Sequence, residues 1–166
     1  MIGSSEQEKV ISDHQAEAPV PVITIAGELG LDVFAAKFDD GISGMIKKEE
    51  NGSYAIYVNE DHHINRQRFT IAHEIAHFLL HKPLIGNGIV DDALYRSGLG
   101  NTIESEANAK AAKILMPISL LSQISLIKAD IKELAKKFQV SKAAMAIRLG
   151  EPIYSITESF GPQEDA

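Results

Sequence analysis

The sequence predicts an α+β fold, in which a small, mostly antiparallel three-stranded sheet packs on a helical core. Strand-like segments flank Asn51-Gly52, a dipeptide that strongly favours a two-strand hairpin. Residues 69–80 are apolar nearly throughout, which is typical of a buried helix. Two short amphipathic segments within residues 130–149 predict a C-terminal helix-turn-helix-like helical pair. The chain has 166 residues and 45% hydrophobic content, enough for one domain with a substantial core.

Composition and charge exclude several classes of protein. The chain has no cysteine, so a disulfide framework, a thiolate metal site and a thiol nucleophile are excluded. No run of about 18 apolar residues predicts a membrane span, and the polar N-terminus is unlike a signal peptide. We therefore expect a cytoplasmic protein. The net charge of -7 offers no overall basic field for nucleic acid.

The acidic residues are concentrated at the two ends of the chain. Residues 1–18 carry four acidic side chains and one basic one, and residues 151–166 carry four acidic and none basic. Acidic, poorly hydrophobic ends are expected to be mobile tails. Between them we expect a metal-binding domain over residues 19–127 and the C-terminal helical pair over residues 128–150, packed on the same domain.

The elements before the buried helix follow from turn residues and alternation. Gly30 is expected to take a left-handed conformation at the end of a helix. The Asn51-Gly52 turn joins two strands, and an exposed hairpin edge either completes the sheet or receives an extended peptide as an added strand. The predicted elements are helices 5–16 and 22–29 and strands 32–38, 42–48 and 53–59.

The buried helix contains the sequence His73-Glu74-Ile75-Ala76-His77. Residues four apart lie on the same helix face, so His73 and His77 can present two imidazole nitrogens to one ion. Glu74 points to the adjacent surface, where its carboxylate can reach a water molecule beside the metal. This is the HExxH arrangement of zinc peptidases. Histidines satisfied by core hydrogen bonds are the alternative, but they do not explain an acid on a buried helix.

A catalytic zinc site needs a third protein ligand. Pro83 ends the motif helix, and a glycine-rich connection leads to a second helix predicted at 103–115. On it Glu104 is the predicted ligand, and Asn108, one turn later, is predicted to hydrogen-bond a ligand histidine. Glu106 is an alternative ligand. Glu104 could instead interact with the helix dipole or form a capping box.

The segments Arg66-Gln67-Arg68-Phe69-Thr70-Ile71-Ala72-His73-Glu74-Ile75-Ala76-His77-Phe78-Leu79-Leu80-His81 and 104–117 together resemble the ImmA/IrrE family of bacterial and phage metallopeptidases. The 42–46 strand, Asn59 and the segment 134–141 agree, so the resemblance covers roughly residues 20–150. It implies a zincin-like core and a gluzincin-like zinc site, in which the third ligand is a glutamate four residues before an Asp or Asn. Glu104 and Asn108 match. Lys110 and Ala76 depart from the aromatic residue and the glycine common in the family.

These residues predict a zinc-dependent endopeptidase. His73, His77 and Glu104 would hold Zn²⁺, and Glu74 would be the general base. The candidates for a second oxyanion donor are Tyr95, His81 and Arg96. The family resemblance implies limited cleavage of a cytoplasmic helix-turn-helix repressor of a mobile element or a stress response.

Two other functions are compatible with parts of the sequence. One is a zinc-stabilised module that binds a regulator or antitoxin-like partner without cutting it, although the presence of Glu74 speaks against this. The other is a DNA-binding regulator, because residues 128–148 carry six basic and two acidic side chains. The neutral body of the chain speaks against direct DNA binding.

Overall fold

The computed structural model describes residues 2–86, 88–92, 100–124 and 130–150. Within them, helices and strands are interleaved along the chain, and the longest helix carries the HExxH sequence. The helices are α1 (Ser4–Asp13), α2 (Val22–Glu28), α3 (Ile64–Leu80), α4 (Asn101–Leu115), α5 (Ile118–Leu121), α6 (Ile131–Phe138) and α7 (Lys142–Leu149). The strands are β1 (Leu31–Ala36), β2 (Ile42–Lys48), β3 (Tyr54–Asn59) and β4 (Ile89–Asp92), and a 3₁₀ turn spans Lys82–Leu84.

The predicted hairpin is present. Strands β2 and β3 pair antiparallel, with Ile46 opposite Ile56, and Gly52 adopts a φ of 86° in the turn between them. Strand β1 pairs with β3 in parallel, so the sheet is mixed, although two of its three strand pairings are antiparallel. The short strand β4 extends the sheet beyond β2, in an order β1-β3-β2-β4. The sheet therefore has one strand more than the three that the sequence predicts, and this strand lies in the predicted glycine-rich connection.

Helix α3 is the central helix and packs directly against β2. Ten of the eleven residues from Arg68 to Phe78 are buried. At Gly44 in β2, a Cβ atom would lie 2.5 Å from the carbonyl oxygen of Tyr57 and 2.7 Å from Cγ2 of Thr70. Glycine is therefore required there, because it lets the strand lie against the helix one turn before His73.

The N-terminal segment packs on this core. Ile11 of α1 is buried in the core cluster, and the Gln15 amide donates to the carbonyl oxygen of Ile114 at 2.9 Å. Apolar packing and long-range hydrogen bonds thus attach the segment to the domain, and its predicted character as a mobile acidic tail stays a prediction.

Arg68 of α3 is buried among backbone carbonyls. Its Nη2 donates to Val20 at 2.9 Å and Phe138 at 3.5 Å, and its Nε donates to Gln139 at 3.1 Å. Burial lowers the pKa of the Arg68 guanidinium, and the three carbonyl oxygens offset part of the loss of hydration. The chain before α2 and the end of α6 are thus both attached to the motif helix.

Helices α6 and α7 are joined by a short turn, as expected. Gln139 adopts a left-handed conformation at the end of α6, and the Ser141 hydroxyl caps α7 by accepting from the Ala144 amide at 3.0 Å. Phe138 and Met145 are fully buried, so the pair packs into the core. A DNA-reading role for this pair stays a prediction, as do the zincin-like character of the core and the domain boundaries.

No helix in the described part of the chain is long and apolar enough to cross a bilayer. Residues 151–166, predicted as a second acidic tail, lie outside the described residues.

Candidate metal centre

Helix α3 presents two histidines to one point. His73 and His77 lie one helical turn apart and are both buried, with 3% and 0% exposure. Their Nε2 atoms are 3.0 Å apart and their ring centroids 4.6 Å apart. The predicted four-residue spacing therefore brings two imidazole nitrogens together.

Glu104 of α4 completes the cluster. Its Oε2 lies 3.2 Å from His73 Nε2, and its Oε1 lies 3.4 Å from His77 Nε2. Zinc binds nitrogen and oxygen ligands at about 2.0–2.2 Å, so the edges of a zinc tetrahedron measure roughly 3.3–3.5 Å. The observed separations of 3.0–3.4 Å are close to these edges. The three side chains thus fit an ion of this size and leave one tetrahedral position for water or substrate.

The charge state of the cluster also suits a metal. Burial lowers the pKa of His77, and this effect exceeds the opposing effect of the nearby Glu104 carboxylate. The imidazole is therefore held neutral at physiological pH, which is the form that donates a lone pair to a metal. The Glu104 carboxylate would offset part of the charge of a divalent cation.

His73 is oriented by Asn108. The Asn108 Oδ1 lies 2.8 Å from His73 Nδ1, as the spacing of α4 predicted. An amide oxygen only accepts, so Nδ1 carries the hydrogen and the Nε2 lone pair points toward Glu104 and His77.

A second chain of contacts orients His77. Its Nδ1 lies 3.0 Å from Nδ1 of His81, and Nε2 of His81 lies 2.8 Å from Oε2 of Glu106. A carboxylate accepts only, so His81 donates from Nε2 to Glu106 and accepts at Nδ1 from His77. The Nε2 atom of His77 is then free of hydrogen and available to a metal. Sequence reasoning missed this relay, although the four-residue spacing of His77 and His81 was a signal for it.

These contacts bear on the predicted roles of Glu106 and His81. Glu106, the alternative ligand, contacts His81 and is not among the three side chains that converge. Both ring nitrogens of His81 are engaged, and the side chain is buried. Its predicted role as an oxyanion donor stays a prediction, and the other two candidates, Tyr95 and Arg96, lie outside the described residues.

Glu74 is fully buried beside the cluster. It is adjacent in sequence to His73 but is not one of the three converging side chains. The role of general base that the HExxH pattern indicates for Glu74 stays a prediction.

Comparison with known proteins agrees with this geometry. Residues 26–150 match the peptidase M78 family, described as the IrrE N-terminal-like domain. The chain is 28% identical, over 180 aligned positions, to the radiation response metalloprotease IrrE of Deinococcus deserti, covering 89% of this chain and 63% of that protein. It is 33% identical over 121 positions to the IrrE of Deinococcus radiodurans, covering 69% and 33%. The chain thus spans less than two thirds of either relative, and it belongs to the ImmA/IrrE family of metallopeptidases.

Proposed function

We propose that this protein is a zinc-dependent endopeptidase that makes limited cuts in a protein substrate. The observation that carries the proposal is the convergence of His73, His77 and Glu104 at near-tetrahedral separations beside a buried, non-converging Glu74. A purely structural zinc site usually has four protein ligands and no general base. Three ligands with an acid beside them are typical of a catalytic site.

The residues divide the chemistry between them. Zinc held by His73, His77 and Glu104 would supply a Lewis acid that polarises the scissile carbonyl and makes water a stronger acid at neutral pH. Glu74 takes the proton from the attacking water while the hydroxyl oxygen bonds to the carbonyl carbon. Glu74 then returns that proton to the amide nitrogen as the carbon–nitrogen bond breaks, giving a carboxylic acid and an amine.

The substrate we propose is a cytoplasmic regulatory protein, in particular a helix-turn-helix transcriptional repressor of a mobile element or a stress response. The relatives are named radiation response metalloproteases, which supports a role in regulated responses. A cut in such a repressor would release transcription without general protein degradation.

The test compares protein N-termini in the native host, by mass spectrometry, between cells that make the wild-type protein and cells that make Glu74→Gln. Glu133→Gln is the matched control. Glu133 is an exposed residue of α6 that belongs to neither the candidate ligands nor their hydrogen-bond partners, and the chemical change is the same. We expect new N-termini in one or a few regulators with the wild type and Glu133→Gln, and none with Glu74→Gln.

Elemental analysis of the purified variants completes the test. Glu74→Gln should retain zinc, because Glu74 is not among the converging ligands. Loss of zinc from this variant would refute the assignment of Glu74. If zinc is retained and no termini differ under resting or stressed growth, the protein is instead a zinc-stabilised module that binds its partner without cutting it.

A further inference from the structure

A groove of about 680 Å³ lies between α3, α4 and α7. Asn108, which contacts His73, stands on its wall together with Thr70 of the motif helix. Phe69, Ala144 and Ile147 contribute apolar surface, and Ile147 is 59% exposed. The volume lies within the roughly 300–1,000 Å³ of ordinary ligand sites and is large enough for several side chains.

The charge of this groove is opposite to that of the whole chain. Arg66, Lys113 and Arg148 line it, and among the residues that the structure describes no acidic side chain does. The chain as a whole has 23 acidic and 16 basic residues, so three cations without a lining carboxylate depart from its composition.

Among the described residues, the hydrogen bonds of Arg66 and Arg148 go to neutral groups. Arg66 Nη2 donates to the Ser43 hydroxyl at 3.2 Å, and Arg148 Nε donates to the Met116 carbonyl oxygen at 3.0 Å. Within the described ranges, none of the three forms an ion pair with a carboxylate. Their charge is therefore available to a ligand.

We infer that this groove is a substrate subsite for a peptide segment that carries acidic residues beside apolar side chains. The inference rests on the proposed peptidase function. The apolar wall suits side chains such as leucine, and the cations suit aspartate or glutamate. A nucleic-acid site fits less well, because duplex binding commonly uses about six to ten phosphate contacts and an apolar wall contributes nothing to them.

The position of the acidic residue follows from helix geometry. Lys113 lies nine residues after Glu104, which is about 13–14 Å along α4 at 1.5 Å per residue. An extended peptide advances about 3.3 Å per residue, so this distance equals about four residues. Lys113 also lies about half a turn around α4 from Glu104, so the path is longer than the axial rise. The preferred acidic residue therefore lies about four to six residues from the cleaved bond, on one side of it.

The test profiles cleavage of a peptide pool made by tryptic digestion of a bacterial proteome. The full-length, zinc-loaded wild-type protein is compared with Lys113→Glu/Arg148→Gln, and new termini are identified by mass spectrometry. Lys136→Glu/Lys137→Gln is the matched control, because both lysines are exposed on α6, outside the groove, and the change in charge is the same. Thermal unfolding and zinc content establish that each variant is folded and loaded.

We expect acidic residues to be enriched roughly three- to tenfold at one position about four to six residues from the cut, a size typical of solvent-accessible ion pairs that gain some burial. The enrichment should disappear in Lys113→Glu/Arg148→Gln and persist in the control. Cleavage without an acidic preference, or with the same preference in the groove variant, would overturn the inference while leaving the peptidase function standing.

Two further arms separate the remaining outcomes. If the wild type cuts nothing in the pool that Glu74→Gln leaves intact, immobilised Glu74→Gln protein is exposed to the same pool, and the proposed function is decided by the N-termini in the native host. Retention of acidic peptides that depends on Lys113 and Arg148 would then support the groove as a peptide-binding site, and indiscriminate retention would overturn it.

A fluorescein-labelled 20-base-pair duplex is titrated in parallel. Duplex binding lost only in the groove variant would assign the groove to nucleic acid and overturn the inference.

Discussion

Because β2 lies close to the motif helix, one methyl group added at Gly44 should lower the stability of the folded protein substantially. In Gly44→Ala the new Cβ would lie 2.5 Å from the Tyr57 carbonyl oxygen and 2.7 Å from Thr70 Cγ2, whereas ordinary contact begins near 3.4 Å. Both contacts are thus about 0.7–0.9 Å too short. One of them is to the backbone of a paired strand, which cannot rotate away.

Overpacking of this kind costs about 1–3 kcal/mol, and the backbone contact places Gly44→Ala near the upper end, at about 2–3 kcal/mol. For domains of about 150–250 residues each kcal/mol lowers Tm by roughly 2–4 °C. The expected fall in Tm is therefore roughly 4–12 °C. Gly27→Ala is the control, since Gly27 lies in α2 and a Cβ there meets nothing within 4 Å. It should gain about 0.5–1 kcal/mol from helix propensity, so its Tm should rise by roughly 1–4 °C.

The assay is thermal unfolding followed by circular dichroism at 222 nm, with EDTA present so that metal binding does not add to the stability of the folded state. The two alanine variants should shift Tm in opposite directions. A Gly44→Ala protein that melts within about 1 °C of the wild type would refute the reasoning, since β2 and α3 could not then be packed as closely as described.

The remaining predictions concern zinc affinity, measured by chelator competition. Structural zinc sites bind with about 10–16 kcal/mol, or roughly 2.5–4 kcal/mol per ligand, so Glu104→Ala should weaken binding by roughly 100- to 1,000-fold. Glu106→Ala should weaken it by only about tenfold, because Glu106 acts through His81; a larger loss from Glu106→Ala than from Glu104→Ala would move the ligand assignment. Asn108→Ala should weaken binding about 10- to 100-fold, because His73 Nδ1 loses its acceptor, and Asn108→Asp should retain most of the affinity. Equal losses in the Ala and Asp variants would contradict this account.

Local sequence signals predicted the parts of the site that one helix or one turn determines. His73 and His77 share a face because of their spacing, and Asn51-Gly52 specifies its own turn, so both could be read without knowledge of the fold. Glu104 was harder to assign, since its distance from the histidines depends on how α4 packs against α3. Glu104 was preferred to Glu106 only because residues two apart on a helix face different directions.

Features that depend on distant partners were not predictable in this way. Strand β4 has four residues and begins directly after Gly88, so it lacks the alternation that identifies a strand; it exists because β2 offers an open edge. The parallel pairing of β1 with β3 is likewise a property of the assembled sheet. The contact of His81 with Glu106 joins residues 25 positions apart, and no local pattern links them.

The position of Arg68 has a consequence for how the protein opens. Its three carbonyl acceptors are 48, 70 and 71 residues away in sequence, so the guanidinium connects the chain before α2 and the end of α6 to the first half of α3. Local detachment of α6 would leave a buried cation with fewer acceptors, and that cost adds to the free energy of the detached state. Native-state hydrogen exchange should therefore find the amides of α6 and α3 within one cooperative unit. The C-terminal helices thus help to stabilise the helix that carries His73 and His77.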